Sequence, residues 1–157
     1  MAEAIDIDSV RRIAAAHQAT PGGLLPALHA IQEALGHIPP DSVGAIAEAF
    51  NLSRAEVHGT ISYYPHFRSQ PAGRCVVQVC QAEACQAMGA PALMAHVRQR
   101  LGCAPHTSSP DGAFTLEPVY CLGLCASSPA VVIDQAVHGR MTPQKFDRLV
   151  AETEKSA

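Results

Sequence analysis

Four of the six cysteines fall into two close pairs: Cys80 and Cys85 are spaced C-x4-C, and Cys121 and Cys125 are spaced C-x3-C. Sulfur at such spacing either ligates metal or exchanges electrons as a dithiol. Two thiolate pairs are what a [2Fe–2S] cluster needs, one pair for each iron. The thiolate-rich cluster is anionic and needs backbone N–H donors, which loops and helix N-termini provide. The small residues Ala82, Ala84, Gly123 and Ala126 let the backbone approach the sulfurs. Leu122 and Leu124 can keep water away, and Pro129 orients the segment that follows.

Other thiolate chemistries fit the spacing less well. Structural zinc also uses four cysteines but favours C-x2-C knuckles. A thioredoxin-type dithiol wants C-x2-C, which is absent. Rieske ligation needs two histidines in the ligand loops, and neither loop holds one. Two disulfides are disfavoured in a reducing compartment. Cys75 and Cys103 stand outside the pairs and read as small buried hydrophobes. None of the eight histidines lies at metal-ligand spacing from a cysteine. His58 and His66 flank an aromatic run, and His96 reads as a packing or surface residue of a helix. The chain has no G-x-G-x-x-G and no candidate catalytic dyad, so no catalytic residue is assigned.

The elements that must hold the pairs can be read from periodicity and punctuation. Residues 1–70 read as a small helical bundle. Asp8 is a candidate cap for a first helix with Val10, Ile13 and Ala14 on one face. Thr20-Pro21 predicts an N-cap with proline at the first helical position. Leu24, Leu25, Leu28, Ile31 and Leu35 recur at helical spacing up to Gly36. Pro39-Pro40 breaks the chain, and Val43, Ile46, Ala47 and Phe50 mark a short helix. Ser53 to Glu56 is a capping box, opening a helix to about Tyr63 or Tyr64. Residues 71–157 change period, with the boundary at Pro71-Ala72-Gly73. Cys75 to Val79 reads as a buried strand, followed by a loop over 80–85 and a helix carrying Leu93, Met94, Val97 and Leu101, closed by Gly102. Residues 104–112 read as a loop. Phe114 to Tyr120 is a strand, 121–129 a loop, and Ala130 to Met141 a hairpin. Thr142-Pro143 caps a last helix. The order β-α-β-β-β-α predicts a small α/β layer with each cysteine pair just after a strand.

Composition bounds the partners. Hydrophobic residues make up 48% of the 157, enough for a packed core. Charged residues are only 16%, below the usual quarter, as expected where a partner covers part of the surface. A net charge of −3 without a Lys/Arg run excludes the footprint of a nucleic-acid binder. The acidic residues near Met1 and the lack of an apolar region argue against a signal peptide. No segment reaches the roughly 18 apolar residues of a membrane span, so no direct membrane insertion is expected and the expected address is the cytoplasm.

The motifs resemble a known family. The stretch Glu56-Val57-His58-Gly59-Thr60-Ile61-Ser62-Tyr63-Tyr64-Pro65-His66-Phe67 resembles the segment before the cluster domain in the 24-kilodalton-type subunit of NADH dehydrogenase. The first pair, within Val79-Cys80-Gln81-Ala82-Glu83-Ala84-Cys85-Gln86, and the second, within Tyr120-Cys121-Leu122-Gly123-Leu124-Cys125-Ala126-Ser127-Ser128-Pro129-Ala130, look like its two ligand loops. The resemblance covers nearly the whole chain. It implies a thioredoxin-like [2Fe–2S] ferredoxin domain behind a helical bundle, with Cys80, Cys85, Cys121 and Cys125 as ligands. It also implies a non-catalytic electron-carrier role beside a flavoprotein subunit that binds FMN and NADH.

Relatives of this subunit occur in complex I, in NAD-linked bidirectional hydrogenases and in soluble formate dehydrogenases. Glu83 stands where many complex I members have threonine. The run from Gln81 to Gln86 is most similar to the gamma subunit of NAD-dependent molybdenum formate dehydrogenase. That branch implies a catalytic partner subunit with a molybdenum cofactor and further Fe–S clusters. The equivalent subunit of an NADH:quinone oxidoreductase or of a hydrogenase is the alternative. An independent ferredoxin or a redox-sensing DNA-binding protein is a more distant one. A carboxylate at Glu83 close to the cluster would lower its potential, unless the side chain points to solvent.

Overall fold

The structure is a computed structural model and describes residues 7–156. The acidic run from Met1 to Asp6, used above against a signal peptide, lies outside the described residues. The chain divides after Pro71 into two compact units. Among the described residues no helix is long and apolar enough to cross a membrane.

The first unit is helical. It comprises α1 (Ile7–His17), α2 (Leu24–Leu35), a 3-10 turn (Pro40–Ser42), α3 (Val43–Phe50) and α4 (Arg54–Tyr63). Its core joins Val10, Leu28, Ile31, Ile38, Ile46 and Val57, the apolar stripes expected of amphipathic helices. The capping box forms in full: Glu56 N–H donates to the Ser53 hydroxyl at 3.2 Å, and Ser53 N–H donates to the Glu56 carboxylate at 2.8 Å. Gln32 ties the segment after α4 to α2. Its amide donates to the His66 carbonyl and its carbonyl accepts from Arg68 N–H, both at 2.8 Å.

Two helix starts differ from the sequence expectation. Asp8 sits inside the first turn of α1, 3.5 Å from the Arg11 guanidinium, rather than at the cap. Thr20-Pro21 lies in a turn, and α2 begins only at Leu24. The cause is Gly22, whose φ of +71° leaves the right-handed helix region just after Pro21.

The second unit holds β1 (Cys75–Cys80), α5 (Glu83–Ala87), α6 (Ala90–Leu101), β2 (Thr107–Ser108), β3 (Phe114–Val119), β4 (Val131–Ile133), β5 (Ala136–His138) and α7 (Pro143–Ser156). The strands form one sheet in the order β2-β3-β1-β4-β5. Only β1 and β3 run parallel; β4 is antiparallel to β1, and β2 and β5 pair antiparallel at the edges. Alternate residues Cys75, Val77 and Val79 of β1, Phe114 and Leu116 of β3, and Val131 and Ile133 of β4 share one core. Leu93, Val97 and Leu101 of α6 and Phe146 and Val150 of α7 complete it. Thr142 caps α7, accepting from Lys145 N–H at 3.2 Å.

Two short elements lie where the sequence reads as loop. Strand β2 falls within 104–112 and pairs with Thr115 and Leu116. Helix α5 contains Cys85, which the sequence places at the end of a loop. At two and five residues, both are too short to show a hydrophobic period.

Candidate metal centre

Topology brings the cysteine pairs together. Because β1 and β3 are parallel and in register from Cys75↔Phe114 to Cys80↔Val119, both strands end at the same edge of the sheet. Cys80 ends β1 and Cys85 lies just beyond it in α5, while the second pair follows β3. The chain must also travel from β3 to β4, which lies on the far side of β1. The second loop therefore crosses the end of β1, over Cys80. Gln81 N–H continues the ladder to the Val119 carbonyl at 2.7 Å, and Cys80 N–H donates to the Ala130 carbonyl at 3.1 Å.

The pairs differ in exposure. Cys80 and Cys85 are buried, whereas Cys121 and Cys125 are exposed. Cys80 and Cys85 pack with Ala90 and Ala130, and Ala82, Val119, Leu122 and Leu124 close around them. This apolar lining keeps water from the inner pair. Among the described residues, no three His, Cys, Asp or Glu side chains gather closely enough to hold a single ion. The sulfurs come instead as two pairs: Cys121 Sγ lies 3.7 Å from Cys125 Sγ, and the Cys85 thiol is near enough to Cys80 to favour its thiolate. Two thiolates on one tetrahedral metal with bonds of about 2.3 Å stand about 3.8 Å apart. The outer pair therefore has the bite of one tetrahedral iron, and the donor set fits a two-iron cluster.

The backbone supplies positive dipoles. Burial pushes the Cys80 thiol up, but N–H groups of Ala82, Cys121 and Leu122 and the Cys85 thiol outweigh it and hold Cys80 below its ordinary value. Gly123 N–H donates to Cys121 Sγ at 3.4 Å. Its φ of +76° belongs to the left-handed region that glycine adopts freely. The hydrogen bond with Cys121 and the nearby negative sulfurs keep Cys125 above its ordinary value. Cys121 itself has φ +97°, a conformation that costs a non-glycine residue of order 1–3 kcal/mol.

The second loop is stitched to residues 139–141. Arg140 N–H donates to the Ser127 carbonyl at 2.5 Å and Met141 N–H to the Pro129 carbonyl at 2.9 Å. Gly139 sits so close that a Cβ there would lie 2.8 Å from both Ser127 Cβ and the Ser127 carbonyl oxygen. Spacing alone gives no signal for this contact, nor for Ser128, whose buried hydroxyl lies 3.6 Å from Cys85 Sγ.

Cys75 and Cys103 lie in the core under the sheet, away from the pairs. Burial pushes both thiols up, reinforced by the negative charges of Asp134 and Asp111 respectively. Glu83 opens α5 with an exposed side chain, the orientation in which its charge is screened by water. His96 pairs with Asp147 at 2.7 Å across α6 and α7. His66 stacks against His29 and Phe67 in the helical unit.

A mixed sheet with two cysteine pairs at one edge suits an iron–sulfur carrier. The chain belongs to the thioredoxin-like [2Fe-2S] ferredoxin family, whose sequence pattern it matches over residues 10–154, and its cofactor is a [2Fe–2S] cluster. It is 30% identical over 143 residues to the E 2 subunit of the NADH-quinone oxidoreductase of Rhizobium meliloti (strain 1021), covering 91% of this chain and 85% of that protein. It is 30% identical over 131 residues to the HndA subunit of the NADP-reducing hydrogenase of Solidesulfovibrio fructosivorans, covering 83% and 77%. An NAD+-reducing [NiFe]-hydrogenase in the H2-reduced state shares the fold at a TM-score of 0.69 and 24% identity. That match takes in 86% of this chain but only 22% of the hydrogenase chain.

Proposed function

We propose that Cys80, Cys85, Cys121 and Cys125 hold the [2Fe–2S] cluster and that the chain is an electron-transfer subunit of an NAD-linked oxidoreductase complex, working in the cytoplasm beside a flavoprotein. The observation that carries this is the convergence of the two pairs at the common end of β1 and β3. When bound, the cluster supplies reversible one-electron storage. The chain's own residues do the rest. N–H groups of Ala82, Cys121, Leu122 and Gly123 offset negative charge on the sulfurs. Val119, Leu122 and Leu124 exclude water from the inner pair. The outer pair is open to a partner, and the exposed Met88 and Tyr120 stand near the two loops in sequence.

For the host complex, the relatives named above favour an NADH:quinone oxidoreductase or a pyridine-nucleotide-linked hydrogenase over the formate dehydrogenase suggested by residues 81–86. A molybdenum-containing partner rests on that short run alone. The test is isolation of the complex through a tag on the full chain in its own host, under anaerobic conditions. Recovery with an FMN-containing, NADH-oxidising partner supports the proposal. Quinone, hydrogen and formate as the second substrate then distinguish the hosts. A chain recovered alone, loaded with cluster and exchanging electrons freely with soluble carriers, would make it an independent ferredoxin.

A further inference from the structure

Ser128 is buried, and its hydroxyl is the one side-chain oxygen placed against a sulfur of the inner cysteine pair among the described residues. As the thiol, Cys85 donates toward Ser128 Oγ at 3.6 Å, while the Ser128 hydroxyl donates to the Cys125 carbonyl at 2.8 Å. A ligating sulfur has lost its proton. Cys85 Sγ could then no longer donate, and an anionic sulfur would face the lone pairs of the serine oxygen. A hydroxyl turns freely about its C–O bond and has a single proton to give. Its two acceptors are then unequal. A hydrogen bond to an ionised acceptor is about twice as strong as one to a neutral acceptor. The Cys125 carbonyl is the neutral one of the two.

We infer that Ser128 is a positioning residue for the cluster: in the loaded protein its hydroxyl donates to the Cys85 thiolate and raises the reduction potential. The inference rests on Cys85 being a ligand. The sign follows from charge. Reduction adds an electron to the cluster, and a donor aimed at its sulfur stabilises the more negative state. The backbone donors serve Cys80 and Cys121; Ser128 supplies the corresponding donor to Cys85, which lies inside α5.

The test is an EPR-monitored redox titration of the full, cluster-loaded chain, comparing wild type with Ser128→Ala, Ser128→Gly and Ser128→Thr, with iron and sulfide counted in each. Both hydroxyl-free variants are expected to titrate at a lower potential than wild type, while Ser128→Thr, which keeps the hydroxyl, stays close to it. Ser128→Gly also serves where the alanine variant loads poorly. An unchanged potential without the hydroxyl, or an equal fall in Ser128→Thr, overturns the inference. Cys85→Ser separates this result from the ligand assignment. If that variant keeps a cluster with wild-type spectrum and potential, Cys85 is no ligand and both readings fall. If it loses or alters the cluster while the Ser128 variants titrate like wild type, only the hydroxyl's role falls.

Discussion

Gly139→Ala probes how the second cysteine loop is held. The added Cβ would lie 2.8 Å from Ser127 Cβ and 2.8 Å from the Ser127 carbonyl oxygen, where ordinary contact begins at 3.4 Å. Relief therefore needs a displacement of about 0.6 Å, the difference of those two distances. One of the clashing atoms is backbone, and that carbonyl also accepts from Arg140 N–H at 2.5 Å, so no side-chain rotation alone removes the clash. The loop must move, and Ser127 stands between Cys125 and Ser128. Overpacking of this kind costs about 1–3 kcal/mol. For a unit of this size, each kcal/mol lowers the melting temperature by about 4–8 °C. The assay has two readouts on anaerobically prepared protein: thermal unfolding of the metal-free chain, and the iron content and EPR line shape of the loaded chain. Gly139→Ala should melt several degrees lower and show an altered line shape or reduced iron. Wild-type melting together with an unaltered spectrum would refute this picture of how the loop is positioned.

Cys121→Gly should release the strain of φ +97° and, after glycine's entropic cost, stabilise the metal-free chain by about 1 kcal/mol, while abolishing the normal cluster; calorimetry of the apo form checks the first part and iron analysis the second. Ser53→Ala removes the α4 cap and should destabilise the chain by about 1 kcal/mol in denaturant titration. The hydrogen bonds from Ser53 hold the Glu56 carboxyl below its usual value of 4.5. Its contribution is therefore present above that pH and is lost as pH falls through the depressed folded value. Glu56→Gln should flatten this acid limb in unfolding measured against pH. Cys75→Ala and Cys103→Ala should each retain full iron and an unchanged EPR spectrum, because both sulfurs lie in the core under the sheet.

Much of the candidate site is legible in the sequence because a metal centre needs particular residue types at close spacing. Cys80 and Cys85, and Cys121 and Cys125, can be paired by spacing, and the runs before them read as strands. Their meeting point is not legible, because it depends on strand order. Nothing local states that β3 lies parallel to β1, or that the chain then crosses β1 to reach β4. The long helices follow from apolar period and caps: Ser53 and Glu56 announce α4, and Gly36 and Gly102 close α2 and α6 in the left-handed region. Thr20-Pro21 misplaces a helix start, because the positive φ of Gly22 overrides an otherwise good cap signal. Strand β2 is specified by pairing with β3, with no period of its own. Ser128 and Gly139 act through tertiary approach to Cys85 and Ser127, which spacing along the chain does not encode.

The most direct test of the central claim is iron, zinc and acid-labile sulfide analysis of the anaerobically purified chain, with EPR after dithionite reduction. It is run on wild type beside single serine replacements of Cys80, Cys85, Cys121 and Cys125. Wild type should hold iron and sulfide in equal amounts, two of each per chain, and give a paramagnetic signal on reduction. Each replacement should lose or alter that signal. Zinc without sulfide and without a signal, or an intact signal in all four replacements, would contradict the assignment.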